Sequence, residues 1–409
     1  MKIKSALFCI CTGLLVPVFG QSIIGATFPF GNQVQPNSGM SFAMGGTSCA
    51  VAPDYNGMLT NPANLACLDK TVFSALVTAE FMRLSEPSDH TNVTTVLPQQ
   101  IAVGIPLGKF GTMGLAYNQR ENERLSVRYD TSFSYDGTPL SFYKGMAKLG
   151  GISVWQLGYG YSIQKILQVG ASYEHAYYSS EISTVESIYD NTGAYPDNPS
   201  RDSTKIRSTF DGFRGGVTIS LKKLRLGLSG EYFLKSNATA DSAVYPSNSI
   251  VPTPNTIGQR TITLKMPPSL FIGCAYDFSA EWLAAADVSL TYWDHAQTEN
   301  AIDVSTLTGV SVGAQYIPAP NILTPKYYEI VRYRAGLRYT QLPADQAYEA
   351  MLSLGAGLPI GKGSGMLDVG VEIGRRASGV YPNLKEDVVR FGIGFNGGRK
   401  WNKSSRSNY

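Results

Sequence analysis

The chain has 409 residues, of which 43% are hydrophobic and only 16% charged, with 42 glycines, 24 tyrosines, 17 phenylalanines and a formal charge of +3. So small a charge gives no electrostatic footprint for nucleic acid, and no nucleic-acid partner is expected. Beyond the N-terminus no run approaches the roughly 18 apolar residues that a membrane-spanning helix demands, which excludes a helical membrane protein. Abundant glycine and aromatics at low charge suit closely packed strands bounded by aromatic girdles.

Lys2 and Lys4 precede an apolar run from Ala6 to Val18, and Val18-Phe19-Gly20 offers a cleavage site before Gln21. Residues 1–20 are read as a secretory signal peptide; losing Lys2 and Lys4 with it takes the formal charge from +3 to +1. Cys9 and Cys11 lie in the apolar run without a well-placed lipobox, so an ordinary cleaved leader is the simpler reading. Cys49, Cys67 and Cys274 remain. An oxidising compartment permits a Cys49–Cys67 bridge, and free thiols are an equal alternative. No CxxC pattern points to a metal, and no cofactor is expected.

Residues 21–66 read as a compact plug. Ser38 to Ala66, SGMSFAMGGTSCAVAPDYNGMLTNPANLA, is rich in small residues, contains Asp54 and closes on Asn61-Pro62-Ala63. Gly39, Gly45 and Gly46 allow close backbone approach, Asn61 can hold a turn through its side chain, and Pro62 stiffens it.

From residue 67 to 400 the pattern is that of long amphipathic strands. Trp282, Ala284, Ala286, Val288, Leu290 and Tyr292 alternate with Asp287, Ser289 and Thr291. Leu224, Leu226, Leu228 and Tyr232 alternate with Arg225, Gly227, Ser229 and Glu231; Val331, Tyr333, Ala335, Leu337 and Tyr339 with Arg332, Arg334, Gly336 and Arg338. Leu367, Val369, Val371 and Ile373 alternate with Asp368, Gly370, Glu372 and Gly374, and Val389, Phe391, Ile393 and Phe395 with Arg390, Gly392, Gly394 and Asn396. Runs of roughly 9 to 15 residues match tilted strands that cross a bilayer, apolar face to lipid and polar face to a lumen. Strands are predicted near 70–84, 91–106, 112–128, 151–163, 166–184, 207–221, 224–237, 261–277, 282–296, 307–317, 328–340, 347–359, 364–377 and 387–399. The fold class is all-β: a transmembrane antiparallel β-barrel of about 14 strands with the N-terminal plug in its lumen. Short turns such as Gln164-Lys165 and Lys222-Lys223 alternate with longer segments, 185–206 and 237–260, read as outer loops. Residues 401–409 form a polar tail. Pro267 and Pro268 cannot donate to a ladder, so they predict a bulge, a kink or an opening in their strand.

Together, S-G-x-x-x-A-x-G-G from Ser38 through Gly39 and Ala43 to Gly46, A-x-A-x-D ending at Asp54, and N-P-A at 61–63 resemble the N-terminal hatch of the FadL family of outer-membrane transport proteins. LKMPPSLFIG, DVSLTYW and the C-terminal LKEDVVRFGIGFNGGRKW are similar to the FadL-like proteins of Bacteroidetes-type bacteria. The resemblance implies an outer-membrane location, fourteen strands, and passive passage of long-chain fatty acids or other small hydrophobic molecules. It also implies that Ile23, Ile24, Phe28 and Phe30 lie in the lumen as candidate pocket walls; they equally suit packing of the plug. The usual aromatic barrel ending is displaced here by the polar tail.

An enzyme is not expected. Only His90, His175 and His295 are available as bases, and none stands in a recognisable triad spacing. Arg332, Arg334, Arg338, Asp287, Asp368, Glu372, Arg225, Glu231 and Arg390 carry both signs on polar faces, which suits a lumen network of paired charges. Two function classes stand: a monomeric passive channel whose partners are a hydrophobic small molecule and outer-membrane lipid, and a binding or assembly barrel akin to the FadL-like shuttle of type IX secretion. An apolar pocket against the hatch favours the first; long ordered outer segments over a lumen without such a pocket favour the second.

Overall fold

In the computed structural model of the chain, the described residues run from 22 to 399, apart from 27, 35–37, 52–58, 87–88, 136, 191–199, 246–254, 299–303, 305, 345, 362–363 and 380–381. The proposed signal peptide, the tail 401–409 and Asp54 lie outside the described residues.

The N-terminal segment contributes a short helix α1 (Ile23–Ala26), a two-residue strand β1 (Asn32–Gln33) and a helix α2 (Gly39–Ala43), then a 3-10 turn Pro62–Cys67. The wall begins with β2 (Thr71–Glu86), β3 (Asp89–Pro106), β4 (Thr112–Tyr135), β5 (Thr138–Ile163), β6 (Leu167–Asp190) and β7 (Ser200–Leu221). It continues through β8 (Leu224–Phe233), β9 (Ser236–Tyr245), β10 (Asn255–Leu264), β11 (Ser269–Asp277) and β12 (Trp282–Tyr292). It ends with β13 (Thr306–Tyr316), β14 (Arg332–Gln341), β15 (Tyr348–Ile360), β16 (Gly365–Ala377) and β17 (Lys385–Arg399). Every neighbouring pair is antiparallel, and β17 pairs with β2 from Arg399↔Thr71 to Lys385↔Ser85, which closes the barrel.

Sixteen segments make fourteen wall strands. β7 pairs with β8 and, further up, with β9; β11 pairs with β8 while β10 pairs with β9. Thus β8 and β9 are one strand broken at Leu234-Lys235, and β10 and β11 are one strand broken at Lys265–Pro268. Pro267 and Pro268 sit in that break, where a residue without an N–H cannot continue the ladder.

The period-2 reading of the faces holds strand by strand. Along β14 residues alternate between exposed Tyr333, Ala335, Leu337 and Tyr339 and buried Arg334, Gly336, Arg338 and Thr340. Val331 is an exception to its expected lipid face: it precedes β14, after a 3-10 turn at Tyr327–Glu329, and is buried. The expectation of outer loops at 185–206 and 237–260 is corrected. β6 runs on to Asp190, β7 starts at Ser200, and β9 and β10 fill most of the second stretch. The hairpin of β4 and β5 likewise rises through 129–150, for which no strand was expected. These stretches are rich in Ser, Thr, Tyr and charged residues, and the alternation that β4 does carry, Val127, Tyr129, Thr131 and Phe133 against Arg128, Asp130, Ser132 and Ser134, runs on past the length that crosses a bilayer. On the opposite side the connections are short, except residues 317–331 between β13 and β14.

Candidate functional site

The described part of residues 22–70 packs against lumen-facing side chains from around the wall. Its N-terminal part is held by side chains. Glu386 of β17 accepts from Ser22 Oγ at 2.7 Å and from the Ile24 N–H at 3.0 Å. Ile24 and Phe28 enter an apolar cluster with Met82, Leu84, Leu342, Met351, Leu384 and Val388, with Ile23 packed at its margin. Phe30 enters a second cluster across the lumen, edge-on to Tyr178 at 5.5 Å and Phe210 at 6.3 Å. These four candidate ligand contacts are covered by protein side chains.

The rest of the segment is seated on glycine. Gly355, Gly370 and Gly392 stand in register across β15, β16 and β17 and face Ala43 and Phe42 of α2. Gly313 and Gly336 stand opposite each other on β13 and β14, where a methyl group on Gly336 would come within 2.3 Å of the Gly45 nitrogen. Gly45 and Gly46, at φ of 70° and 93°, make the left-handed turn that brings the chain this close. Gly227 and Gly273 do the same for Cys49 and Ala50. Finally Gly160, Gly170 and Gly216, in register across β5, β6 and β7, form a flat bed for Asn61 and Pro62. A methyl on Gly170 would fall 2.4 Å from the Pro62 carbonyl carbon, and one on Gly216 2.0 Å from Asn61 Oδ1. The chain's glycine content therefore has a second use that composition alone did not reveal.

Polar contacts fix the seat. Ser38 caps α2, its Oγ accepting from the Ser41 N–H at 3.2 Å, and Gly39 lies against Asp368. Asp287 Oδ2 accepts from the Ser48 and Cys49 N–H groups at 2.6 and 2.8 Å. Asn61 caps the 3-10 turn by accepting from the Ala63 N–H at 3.0 Å, while its Nδ2 donates to Cys49 O at 2.9 Å and Thr218 Oγ1 at 3.0 Å. Pro62 occupies the first position of that turn, where a missing N–H costs nothing. Cys49, Cys67 and Cys274 are free thiols.

The expected lumen charges are brought together, with partners that sequence reading missed. Arg338 pairs with Glu349 at 3.1 Å and Glu372 at 3.2 Å; Arg390 pairs with Glu349 at 2.8 Å, Glu372 at 3.2 Å and Glu80; Arg376 pairs with Glu349 at 2.6 Å, Glu80 at 3.1 Å and Glu386 at 3.6 Å. Across the lumen, Arg214 holds Glu174 at 2.7 Å and Glu231 at 3.0 Å, and Arg120 also meets Glu231. Arg334 pairs with Asp368, and Arg225 with Asp277 at 3.2 Å. Glu80, Glu349, Arg376 and Glu386 share the period-2 phase of buried neighbours, the signal by which they are legible. Such a network fixes register and keeps many charges satisfied away from water.

The spaces left are small. Cavities of about 30 Å³ beside Gly45, Ser48 and Asp287 and about 40 Å³ beside Gln33, Arg120 and Glu231 have room for no more than a few waters each. A cleft of about 1080 Å³ lies at the rim, lined partly by outward-facing Phe73 and Phe395.

The wall ladder is unequal. β3 and β4 pair only from Gln100↔Asn118 to Pro106↔Thr112, whereas β4 and β5 pair along their whole length. Where β3 leaves, β4 carries a bulge at Arg120, and the segment's own β1 takes up its edge: Asn32 opposes Asn122, Gln33 opposes Glu121, and the Val34 N–H donates to Arg120 O at 2.7 Å. A cavity of about 20 Å³ lies there between Gln33, Leu97, Gln99 and Arg390.

The sequence model of the family described as BamG matches residues 2–408. No curated relative matches the chain. Among solved structures, the Ralstonia pickettii toluene transporter TbuX superposes with a TM-score of 0.61 at 16% identity, covering 89% of this chain and 98% of its own. The Pseudomonas putida toluene transporter TodX gives 0.61 at 16%, over 90% and 100%. A Pseudomonas aeruginosa FadL homologue gives 0.58 at 12%, over 90% and 99%. At such identities the likeness is one of fold.

Proposed function

The chain belongs to the BamG family, and we propose that it is an outer-membrane channel for small hydrophobic molecules, closed by its N-terminal segment and opening sideways between β3 and β4. One observation carries this reading: the ladder between β3 and β4 stops at Gln100 and Asn118, and β1 fills the vacated edge. Withdrawal of β1 would leave a lateral slot beside Leu97 and Val34, through which an apolar molecule can pass from lumen to lipid without crossing the polar side. The likeness in fold to transporters of toluene supports the same class of cargo. The stretch before Ser38 then acts as the moving part of the gate, Gly45, Gly46 and Asn61-Pro62-Ala63 as its fixed seat, and Ile23, Ile24, Phe28 and Phe30 as the apolar surface met by cargo. The break at Pro267 and Pro268 is a kink in the wall.

The test is uptake of a labelled fatty acid and a monoaromatic hydrocarbon into proteoliposomes, together with planar-bilayer conductance. A disulfide from Gln33→Cys to Glu121→Cys should abolish uptake and reduction should restore it; deletion of residues 23–45 should lower uptake and raise conductance. Unchanged uptake in the locked form and unchanged conductance in the deletion would overturn the reading.

A second reading, a barrel that serves as a binding or assembly partner, is favoured by a different observation. The cavities beside Gly45 and beside Gln33 are small and of mixed polar and apolar lining, while β4 to β7 run 22 to 26 residues, well beyond the roughly 9–11 that cross a bilayer. Their upper parts expose Val127, Tyr129, Phe133, Met146 and Leu149. Absence of uptake combined with specific co-purification of a protein, lost on truncating the β4–β5 hairpin, would put this reading first.

A further inference from the structure

We propose that the outer rim of β16, β17 and β2 is a binding site for the phosphate groups of an outer-leaflet lipid. Three cations stand there on the lipid-facing side of adjacent strands. Arg375 of β16 opposes Asp387 of β17, which opposes Arg83 of β2, and Lys385 lies one outward step above Asp387. The alternation of faces fixes their direction: Arg376, Glu386, Val388, Met82 and Leu84 between them are buried in the lumen, whereas Arg83, Arg375 and Lys385 are exposed.

Their height is set by strand length. Arg375 is ten residues above the start of β16 at Gly365, and ten residues at about 3.3 Å each, tilted by about 40°, climb about 25 Å, the height of a barrel's apolar band. Directly below them the same face is Phe81 edge-on to Phe391 at 5.9 Å, with Ile373 exposed beside them. Tyr339 and Tyr348 stack at 5.6 Å on the neighbouring strands, and Tyr348 opposes Ala377 just above Arg375. An aromatic girdle marks the level of the headgroups, so the cations sit where lipid phosphate sits.

Charge then selects the ligand. Asp387 binds Arg375 at 2.7 Å and holds its guanidinium in place while both remain about half exposed. Arg83 and Lys385 form no ion pair among the described residues, so the patch keeps two uncompensated positive charges. On the opposite side of the rim Lys205 is matched by Glu181 at 3.0 Å. A phosphate needs point charges and a fork of donors on one face, which Lys385, Arg83 and Arg375 supply together. The outer leaflet of a bacterial outer membrane supplies the ligand as a phosphorylated glycolipid. The inference needs only the orientation of the barrel and is independent of what, if anything, passes through its lumen.

The test is native mass spectrometry of the full-length mature protein in neutral detergent, titrated with bis-phosphorylated lipid A, with its enzymatically dephosphorylated form, and with inorganic phosphate as competitor. The intact protein should retain the phosphorylated lipid, and retention should fall as salt rises. Each cation near a charged lipid surface is worth about a fivefold change in affinity, so Arg83→Gln with Lys385→Gln should weaken retention roughly 25-fold. Arg83→Lys should keep most of it, and Lys205→Gln, on the far side of the rim and paired with Glu181, should change nothing. Barrel assembly of each variant is checked by heat-modifiable migration. Equal retention by the intact and the double variant, equal retention of the dephosphorylated lipid, or full displacement by millimolar inorganic phosphate would each overturn the proposal.

Discussion

The two ends of the N-terminal segment are held by different physics. From Ser38 to Val51 and from Leu59 to Cys67 it is seated by shape: it lies directly on the wall backbone over four rows of registered glycines, and Asn61 and Asp287 tie the remaining polar groups. Before Val34 it is held by two apolar clusters, one carboxylate and a two-residue backbone ladder, with no glycine row beneath it among the described residues. Contacts of the first kind cannot slide, because any displacement drives atoms into the wall; contacts of the second kind can be exchanged for water or for an apolar guest. Under the proposed gating, the lower part is the fixture and the upper part the movable element, which is the asymmetry a gate requires.

The sharpest way to break the comparison is to spoil the bed. Gly170→Val places its first carbon 2.4 Å from Pro62 and 2.5 Å from Ala63 backbone atoms, none of which can rotate away. It should destabilise the barrel by about 3 kcal/mol and raise planar-bilayer conductance, since the segment no longer fits. Gly215→Ala, one residue before a bed glycine but facing outward with open space around it, should cost less than about 0.5 kcal/mol. Urea unfolding in lipid vesicles reads both, and equal effects would remove the glycine bed as the reason for the seat.

Asn61→Ala sharpens the same point at smaller size. It removes the acceptor for the Ala63 N–H and the donors to Cys49 O and Thr218 Oγ1, leaving buried groups unmatched. A loss of about 2 kcal/mol is expected, recovered only in part by Asn61→Asp, which restores the cap but not the donors. Unfolding of the two variants side by side checks the order.

How much of this was legible beforehand follows from what each feature needs. The wall was readable because lipid on one side and a packed lumen on the other force a period of two, as at Val371-Glu372 and Phe391-Gly392. The break at Pro267-Pro268 was readable because a missing N–H is a property of one residue. The rising hairpins were not read as strands, since their polar stretches look like loops and the alternation through Val127, Tyr129 and Phe133 extends beyond the length a bilayer calls for. Nor was the glycine bed: Gly160, Gly170 and Gly216 are far apart in sequence, and only the register of β5, β6 and β7 aligns them under Asn61. The motif marked candidate residues only from Ser38 onward, and Glu386, which accepts from the Ile24 N–H, lies 362 residues away from it and carries no local mark.

Glu386 gives the finest test of the contrast. Glu386→Ala removes the acceptors of Ser22 Oγ and the Ile24 N–H, while Arg376 keeps Glu80 and Glu349. The wall should therefore remain nearly as stable, and the loss should appear as local opening of the movable end. Two hydrogen bonds to a carboxylate, with α1 still packed on its apolar cluster, should be worth about 1.4 kcal/mol of that opening, or a tenfold change in exposure. The readout is the rate of maleimide labelling at Ile24→Cys in a background where Cys67 and Cys274 are serine and Cys49, fully buried on the glycine bed, serves as internal reference. Labelling at position 24 should quicken about tenfold while Cys49 stays unreactive. If both sites quicken together, the segment moves as one body and the division into fixture and gate fails; if neither does, the apolar clusters alone hold the upper end and Glu386 is a bystander.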